Sequence, residues 1–240
     1  MKKAILLALG MLCTLAATAQ DQSGFIEAAK KHVTAQHNIS SYSKLYVNGP
    51  FDVILVKDKA DALTIEGAEN IVPLITAEVK DQVLTIAIKD GLKIKPSKHN
   101  RILIKVPFNA LNEVSLYGSG SITSKKTIDT NLGIKLNGSG SIKLSLHSPK
   151  TDVNMVGSGS VTLTGYSESI ACKLTGSGTI MAKELQSDAA DVVLMGSGTI
   201  KVATNKSIKG RINGGGSVAF GGEPEKQDLM REGTGEFSAF

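Results

Sequence analysis

Apolar and polar residues alternate along the second half of the chain, and the alternation is phased on a phrase that keeps returning. Gly118-Ser119-Gly120 is followed by Gly138-Ser139-Gly140, Gly157-Ser158-Gly159, Gly176-Ser177-Gly178, Gly196-Ser197-Gly198, Gly214-Gly215-Gly216 and Gly233-Thr234-Gly235, at steps of 20, 19, 19, 20, 18 and 19 residues. Counted from the first Gly of each copy, position −4 holds Val114, Ile134, Val153, Cys172 and Val192. Position −2 holds Leu116, Leu136, Met155, Leu174, Leu194 and Ile212. Position +4 holds Ile122, Ile142, Val161, Ile180, Ile200, Val218 and Phe237, and position +6 holds Leu144, Leu163, Ala182, Val202 and Phe220. Every offset is even, so these side chains share one face of a strand. Helices would need apolar residues three and four apart, and the glycines and β-branched residues would weaken them.

Self-similarity at a fixed period of this length marks a solenoid, in which each repeat is one coil that gains a core only by stacking on its neighbours. The pattern therefore predicts an all-β fold, a single-chain right-handed β-helix of about 19-residue Gly-Ser-Gly coils with an irregular β N-terminal part. The hand follows from the preference of parallel crossovers. Seven coils at roughly 4.8 Å each would make a rod about 34 Å long. The glycines supply positive φ at a corner or let coils approach closely. Ser119, Ser139, Ser158, Ser177, Ser197 and Thr234 would stack as one hydroxyl ladder, and Ser121, Ser141, Ser160, Thr179, Thr199 and Ser217 as a second.

The repeat decays at its C-terminal end, where Arg231 replaces an inward aliphatic, Glu236 replaces a ladder hydroxyl, and residues 221–228 bring in charge and Pro224. This reads as a cap over an otherwise open sheet edge. Residues 41–110 are strand-patterned but less repetitive, through Leu45, Val47, Phe51, Val53, Leu55, Leu63, Ile65, Leu84, Ile86, Ile102, Ile104 and Val106. They read as an irregular β N-terminal part or cap, ahead of a regular β-helix over 111–240. Residues 21–40 read as a tether or short helix.

Residues 1–20 carry Lys2 and Lys3, an apolar run from Ala4 to Leu15 and the small-residue pattern Ala17-Thr18-Ala19, the anatomy of a removable signal peptide. The run is too short to span a bilayer, no later segment approaches that length, and a transmembrane segment is not expected. Leu12 and Met11 before Cys13 do not fit a lipid-attachment signal. Removal of the leader leaves 25 Lys and Arg against 22 Asp and Glu, a net charge of +3, and Cys172 as the remaining cysteine. With 41% hydrophobic residues, 25 Gly and no Trp, the chain is neither disordered, nor a disulfide scaffold, nor a polytopic membrane protein.

Few residues invite chemistry. Neither GxGxxG nor GxxxxGK[ST] occurs, and the column after each glycine pair is Ile or Val where a calcium roll needs Asp, so no cofactor is expected. His32, His37, His99 and His147 lack partners at metal-ligand spacing. Cys172 falls in an inward column, as a buried small hydrophobe rather than a nucleophile. Asp129, Asp152, Glu168, Glu184, Asp188 and Asp191 lie mostly in bends, without the paired placement that general acid/base work on a glycan requires. One outward feature stands out. Lys135, Lys173 and Arg211 share position −3 in alternate coils, and Lys143 and Lys201 share position +5, a candidate ladder for an anionic glycan or lipopolysaccharide. Outward lysines also serve simply to discourage lateral sheet aggregation. The basic residues have no interleaved aromatics, which argues against nucleic acid.

The run Val47-Asn48-Gly49-Pro50-Phe51-Asp52-Val53, the strand Ile102-Leu103-Ile104-Lys105-Val106-Pro107, and Leu111-Asn112-Glu113-Val114-Ser115-Leu116 leading into the serial glycine phrases resemble the GIN domain, the auto-transporter adhesin head domain. The resemblance spans about residues 40–237. It implies a right-handed β-helical protein exported by a Gram-negative bacterium to the periplasm, outer membrane or cell surface, with an adhesin role and no family catalytic residues. Together these readings predict a non-enzymatic exported protein that presents a rigid polar surface for adhesion or for binding a cell-envelope or extracellular glycan. The alternatives are a structural envelope or periplasmic protein without a soluble ligand, and a polysaccharide-processing enzyme.

Overall fold

The computed structural model describes residues 24–58, 61–95 and 101–240. The leader and His99 lie outside them. In chain order the strands are β1 (Ile26–Glu27), β2 (His32–Asn38), β3 (Lys44–Asn48), β4 (Phe51–Lys57), β5 (Ala62–Ala68), β6 (Ile75–Lys80), β7 (Val83–Ile88), β8 (Ile94–Lys95), β9 (Ile102–Phe108) and β10 (Glu113–Gly118). They continue as β11 (Ser121–Ile128), β12 (Leu132–Gly138), β13 (Ser141–Gly157), β14 (Ser160–Gly176), β15 (Thr179–Gly196), β16 (Thr199–Asn213), β17 (Ser217–Gly221), β18 (Lys226–Glu232) and β19 (Glu236–Ala239).

Each strand that enters a glycine phrase pairs in parallel with the equivalent strand one coil away, and so does each strand that leaves it. The leading face runs β7, β3, β10, β12, the second halves of β13 to β16, then β18. The trailing face runs β9, β4, β11, the first halves of β13 to β16, then β17 and β19. This is the β-solenoid that the repeat predicts. The alternating apolar residues of both faces meet between them in one continuous core, where Val114, Leu116, Leu136, Leu174, Leu194, Ile122, Val161, Leu163 and Ile200 are fully buried.

At the corner formed by each phrase, the first Gly has positive φ (+119° at Gly157). The third abuts the preceding coil so closely that a Cβ on Gly159 would lie 2.4 Å from the Gly140 carbonyl oxygen. Ser158 N and Gly159 N both donate to Gly138 O at 3.1 Å, so the ladder turns the corner unbroken. Ser119, Ser139, Ser158, Ser177 and Ser197 point out into solvent. The two expected hydroxyl ladders are not hydrogen-bonded along their length: among the described residues the one contact between ladder hydroxyls is Thr199 with Ser217, at 3.3 Å. Outward serines find water more readily than one another.

The bonded hydroxyls lie inside the opposite corner. Ser148, Ser167, Ser187 and Thr204 stack in register there and are buried. Ser148 donates to Lys150 O at 2.7 Å, Ser167 to Ser169 O at 2.9 Å and Ser187 to Ala203 O at 2.7 Å, each satisfying a bent backbone that a core aliphatic would leave orphaned. Coil lengths between 18 and 20 residues are absorbed at this corner as register shifts, including those between Thr123 and Thr127 and between Ala182 and Gln186.

The N-terminal part joins the same stack. Asn48-Gly49-Pro50 takes the place of a glycine phrase between β3 and β4, and Gly49 N donates to Tyr117 O at 3.0 Å. Antiparallel strands finish this end, β6 on β7, and β5 then β2 beyond β9. The tether or short helix expected over 21–40 is corrected here. His32–Asn38 is a strand, with Val33 and Ala35 turned toward the core on alternate positions and its backbone paired along β5. Seven ladder positions on a ready sheet edge outweigh a weak helical pattern. At the other end Arg231 occupies the inward column opposite Ile212 and donates to Gly235 O at 3.0 Å, and Glu236 sits opposite Ser217.

Candidate functional site

The leading face is a flat lattice in which outward residues recur along each strand and, coil by coil, along the rod. Position −3 reads Tyr46, Ser115, Lys135, Asn154, Lys173, Val193, Arg211 and Met230 from β3 to β18, with Ser115 buried beneath its neighbours. The three cations thus do share a column in alternate coils. Position −5 reads Lys44, Glu113, Gly133, Asp152, Ala171, Asp191, Lys209 and Asp228. Position −1 reads Asn48, Tyr117, Asn137, Val156, Thr175, Met195, Asn213 and Glu232. Lys143 and Lys201 lie on the trailing face instead, in one column with Thr162 and Met181 between them. The fold does not bring the two basic sets together.

Carboxylates from the −5 column meet the cations. Lys135 Nζ lies 2.9 Å from Glu113 Oε2, and the Glu113 Oε1 accepts from Ser115 at 3.0 Å. Burial pushes the Glu113 carboxyl up, but hydrogen bonds from Lys135 and Ser115 and the nearby Lys44 charge outweigh it and hold the group below its ordinary value. Arg211 forms a bidentate pair with Asp228 at 3.2 and 2.8 Å, which raises the guanidinium and lowers the carboxyl. Lys173 has no ion-pair partner among the described residues. In the −5, −3 and −1 columns from β3 to β18, the five cations Lys44, Lys135, Lys173, Lys209 and Arg211 face the five anions Glu113, Asp152, Asp191, Asp228 and Glu232, and position −7 adds Lys150, paired with Asp152, and Lys226. The three central columns are charge-balanced. They present donors and acceptors at fixed spacing rather than a positive track.

Tyrosines complete this face, and the hydropathy pattern passes over them because it scores inward positions. Tyr46 and Tyr117, on neighbouring strands, stack with ring centroids 4.9 Å apart and 34° between planes. Their outward, even-spaced placement beside Asn48 and Asn137 was the available signal. At the glycine corner a groove of about 580 Å³ is lined by Asp52, Arg101 and the outward serines Ser119, Ser139 and Ser158 over a floor of glycine backbone. Ser121 donates to Asp52 at 2.6 Å, and Arg101 lies 3.1 Å from the same carboxylate.

The remaining candidates have structural surroundings. Cys172 is 2% exposed between Val153 and Val192, and burial pushes its thiol up to about 12. His32 and His37 occupy opposite faces of β2, and His147 packs by Tyr166 with ring centroids 5.7 Å apart. Among the described residues no three His, Cys, Asp or Glu converge as a metal would require. Asp129 pairs with Lys57, Asp152 with Lys150 and Asp188 with Lys206, at 2.8, 3.0 and 2.8 Å. Asp152 and Asp191 share a column with Ala171 between them. No helix among the described residues is long and apolar enough to cross a membrane.

A family model described as "Putative auto-transporter adhesin, head GIN domain" matches residues 41–224. A crystal structure of a putative adhesin from Bacteroides fragilis superposes with a TM-score of 0.82 at 28% identity, covering 90% of this chain and 100% of the other. A putative lipid binding protein from Parabacteroides distasonis superposes at 0.71 with 21% identity, covering 90% and 99%. A putative adhesin from Parabacteroides merdae does so at 0.69 with 20% identity, covering 90% and 99%. The last two likenesses establish the fold alone. No curated protein sequence matches the chain.

Proposed function

The chain belongs to the auto-transporter adhesin head GIN domain family, and on that footing we propose that it is an exported, non-enzymatic adhesion module whose leading face holds a glycan of the cell envelope or extracellular space. The observation that carries the reading is the lattice itself. Asn48, Asn137, Asn154, Thr175 and Asn213, with Lys135, Lys173 and Arg211 among them, stand on a backbone paired on both sides over most of its length. Such a surface does not reorganise on binding, so little conformational entropy is lost when an extended, hydroxyl-rich chain lies along it. Ion pairing sets the ligand class. Columns in which cations and anions balance have little net attraction for a polyanion, and their ammonium and guanidinium groups serve as hydrogen-bond donors to sugar hydroxyls.

Retention of the mature protein on an immobilised panel of neutral polysaccharides (dextran, galactan, chitin) and acidic ones (polygalacturonate, lipopolysaccharide) tests the proposal. At least one neutral glycan should retain it, with little difference between low and high salt. Lys173→Ala should weaken retention a few-fold without altering the circular dichroism spectrum. Failure of the folded protein to bind any member of the panel would remove the glycan reading.

A further inference from the structure

We propose that Tyr46 and Tyr117 form a stacking subsite for a neutral hexopyranose, in which the apolar C–H face of the sugar packs on the outer face of Tyr117 above Asn137 and Lys135. The inference rests on the glycan reading above and locates where one sugar ring is gripped.

The two rings are spent on no structural task that the fold requires of them. The chain has four Tyr, six Phe and no Trp. Tyr42 is half-buried and donates its hydroxyl to Pro107 O at 2.6 Å, Phe51 and Phe108 fill the core, and Tyr166 packs with His147 at the far corner. Tyr46 and Tyr117 instead occupy outward positions on the leading face, and neither hydroxyl has a hydrogen-bond partner among the described residues. Because they stack on each other across neighbouring strands, 4.9 Å apart, their outer faces turn along the rod axis. Tyr117 faces β12, and Tyr46 faces β7. The pair is thus a wall standing over shorter side chains.

On the β12 side those side chains are the ones a sugar needs. Asn137 follows Tyr117 in the −1 column, is exposed, and offers an amide donor and acceptor with no protein partner among the described residues. Lys135 is held in place by Glu113 at 2.9 Å, which uses one of its three N–H donors and leaves two. The Glu113 carboxylate, held from beneath by the buried Ser115 hydroxyl at 3.0 Å, completes the polar rim. On the β7 side the wall meets only Thr85 and Ala87, which offer one hydroxyl. A hexopyranose presents one C–H-rich face and a rim of hydroxyls, and an aromatic ring beside an amide and an ammonium matches both.

Saturation-transfer NMR with methyl β-galactopyranoside and methyl β-glucopyranoside at millimolar concentration tests the site, since without Trp the aromatic resonances can be irradiated with little overlap. The expected result is transfer strongest to ring protons of one sugar face, together with a near-ultraviolet tyrosine difference spectrum. Tyr117→Phe should keep binding within about two-fold, Asn137→Ala should weaken it several-fold, and Tyr46→Ala/Tyr117→Ala should weaken it at least tenfold. Phe and Asn variants keep the test valid if the double alanine variant does not fold. Equal transfer in the folded double variant, or Asn137→Ala without effect, would overturn the subsite while glycan retention stands. Glycan retention by a protein that shows no transfer from either methyl glycoside would do the same, and loss of retention on the whole panel would instead remove the reading on which it rests.

Discussion

A single residue in this protein is governed by its column. Cys172 lies between Val153 and Val192, 2% exposed, with its thiol pushed up to about 12 by burial first and Asp191 second. Almost no thiolate exists there at neutral pH, so Ellman's reagent should react with the native protein only at the rate of unfolding and promptly in denaturant. Rapid labelling of the native state would contradict the register. Leu174, fully buried, should tolerate no charge: Leu174→Asp should cost at least about 4 kcal/mol in urea unfolding, against a few tenths for the outward Ser177→Ala. Gly159 is limited by contact, because an added Cβ would meet the Gly140 oxygen at 2.4 Å, so Gly159→Ala should destabilise by about 2–3 kcal/mol. Gly91 has φ +78° and open space around it, so its replacement by Ala should cost only about 1 kcal/mol. The inward columns and the burial of Cys172 were legible in the sequence because a period of two has one meaning in a buried strand. The fate of the serines was not, because alternation does not distinguish an outward hydroxyl row from a bonded one, and the bonded row, Ser148 to Thr204, sits at the corner where coil lengths vary.

At the scale of the element, the coil is the unit of stability. β13 and β14 pair residue for residue over both faces, Ser141 with Ser160, and β15 continues the same columns, Ser160 with Thr179, with one register shift between Thr162 and Thr164 at the far corner. Deleting residues 160–178 therefore joins Gly159 to Thr179 with every column intact. The shortened protein should unfold cooperatively with a modestly lower midpoint, as nearest-neighbour stacking predicts, whereas deletion of ten residues from the same coil should abolish folding; urea melts monitored by circular dichroism distinguish the two. The ion pairs of the leading face make a pH prediction. Glu113 and Asp228 have lowered carboxyl values, so their pairing is fully present above the ordinary carboxylate range and is lost as pH falls through their depressed values, below that range. Protonation frees Lys135 and Arg211 and turns balanced columns positive. Dextran sulfate, which stays ionised, should bind weakly at pH 7 and clearly near pH 3, as read by retention; equal retention at both values would show that the ion pairs do not set the charge of the face. The cation columns were legible as columns, but their carboxylate partners lie one coil away, and only the register of β10 on β12 and of β16 on β18 reveals the pairing. β2 escaped the sequence reading for the same reason: its alternation is short and polar, and its strand character comes from the edge of β5.

Over the whole molecule, β2 to β7 and β9 to β19 form one stack whose N-terminal end is finished by antiparallel strands and whose C-terminal inward column is closed by Arg231. A rod built this way is stiff, and the proposed recognition runs along its side rather than in a pocket. That architecture suits display at a surface, where a rigid lattice meets an extended ligand without closing over it. The proposed adhesion requires the rod to face the outside of the cell, and antibody labelling of intact and then permeabilised native cells tests this directly. Intact cells should be labelled, at the level of a known surface marker and less after added surface protease. Labelling that appears only after permeabilisation would place the rod behind the outer membrane and contradict its role in adhesion.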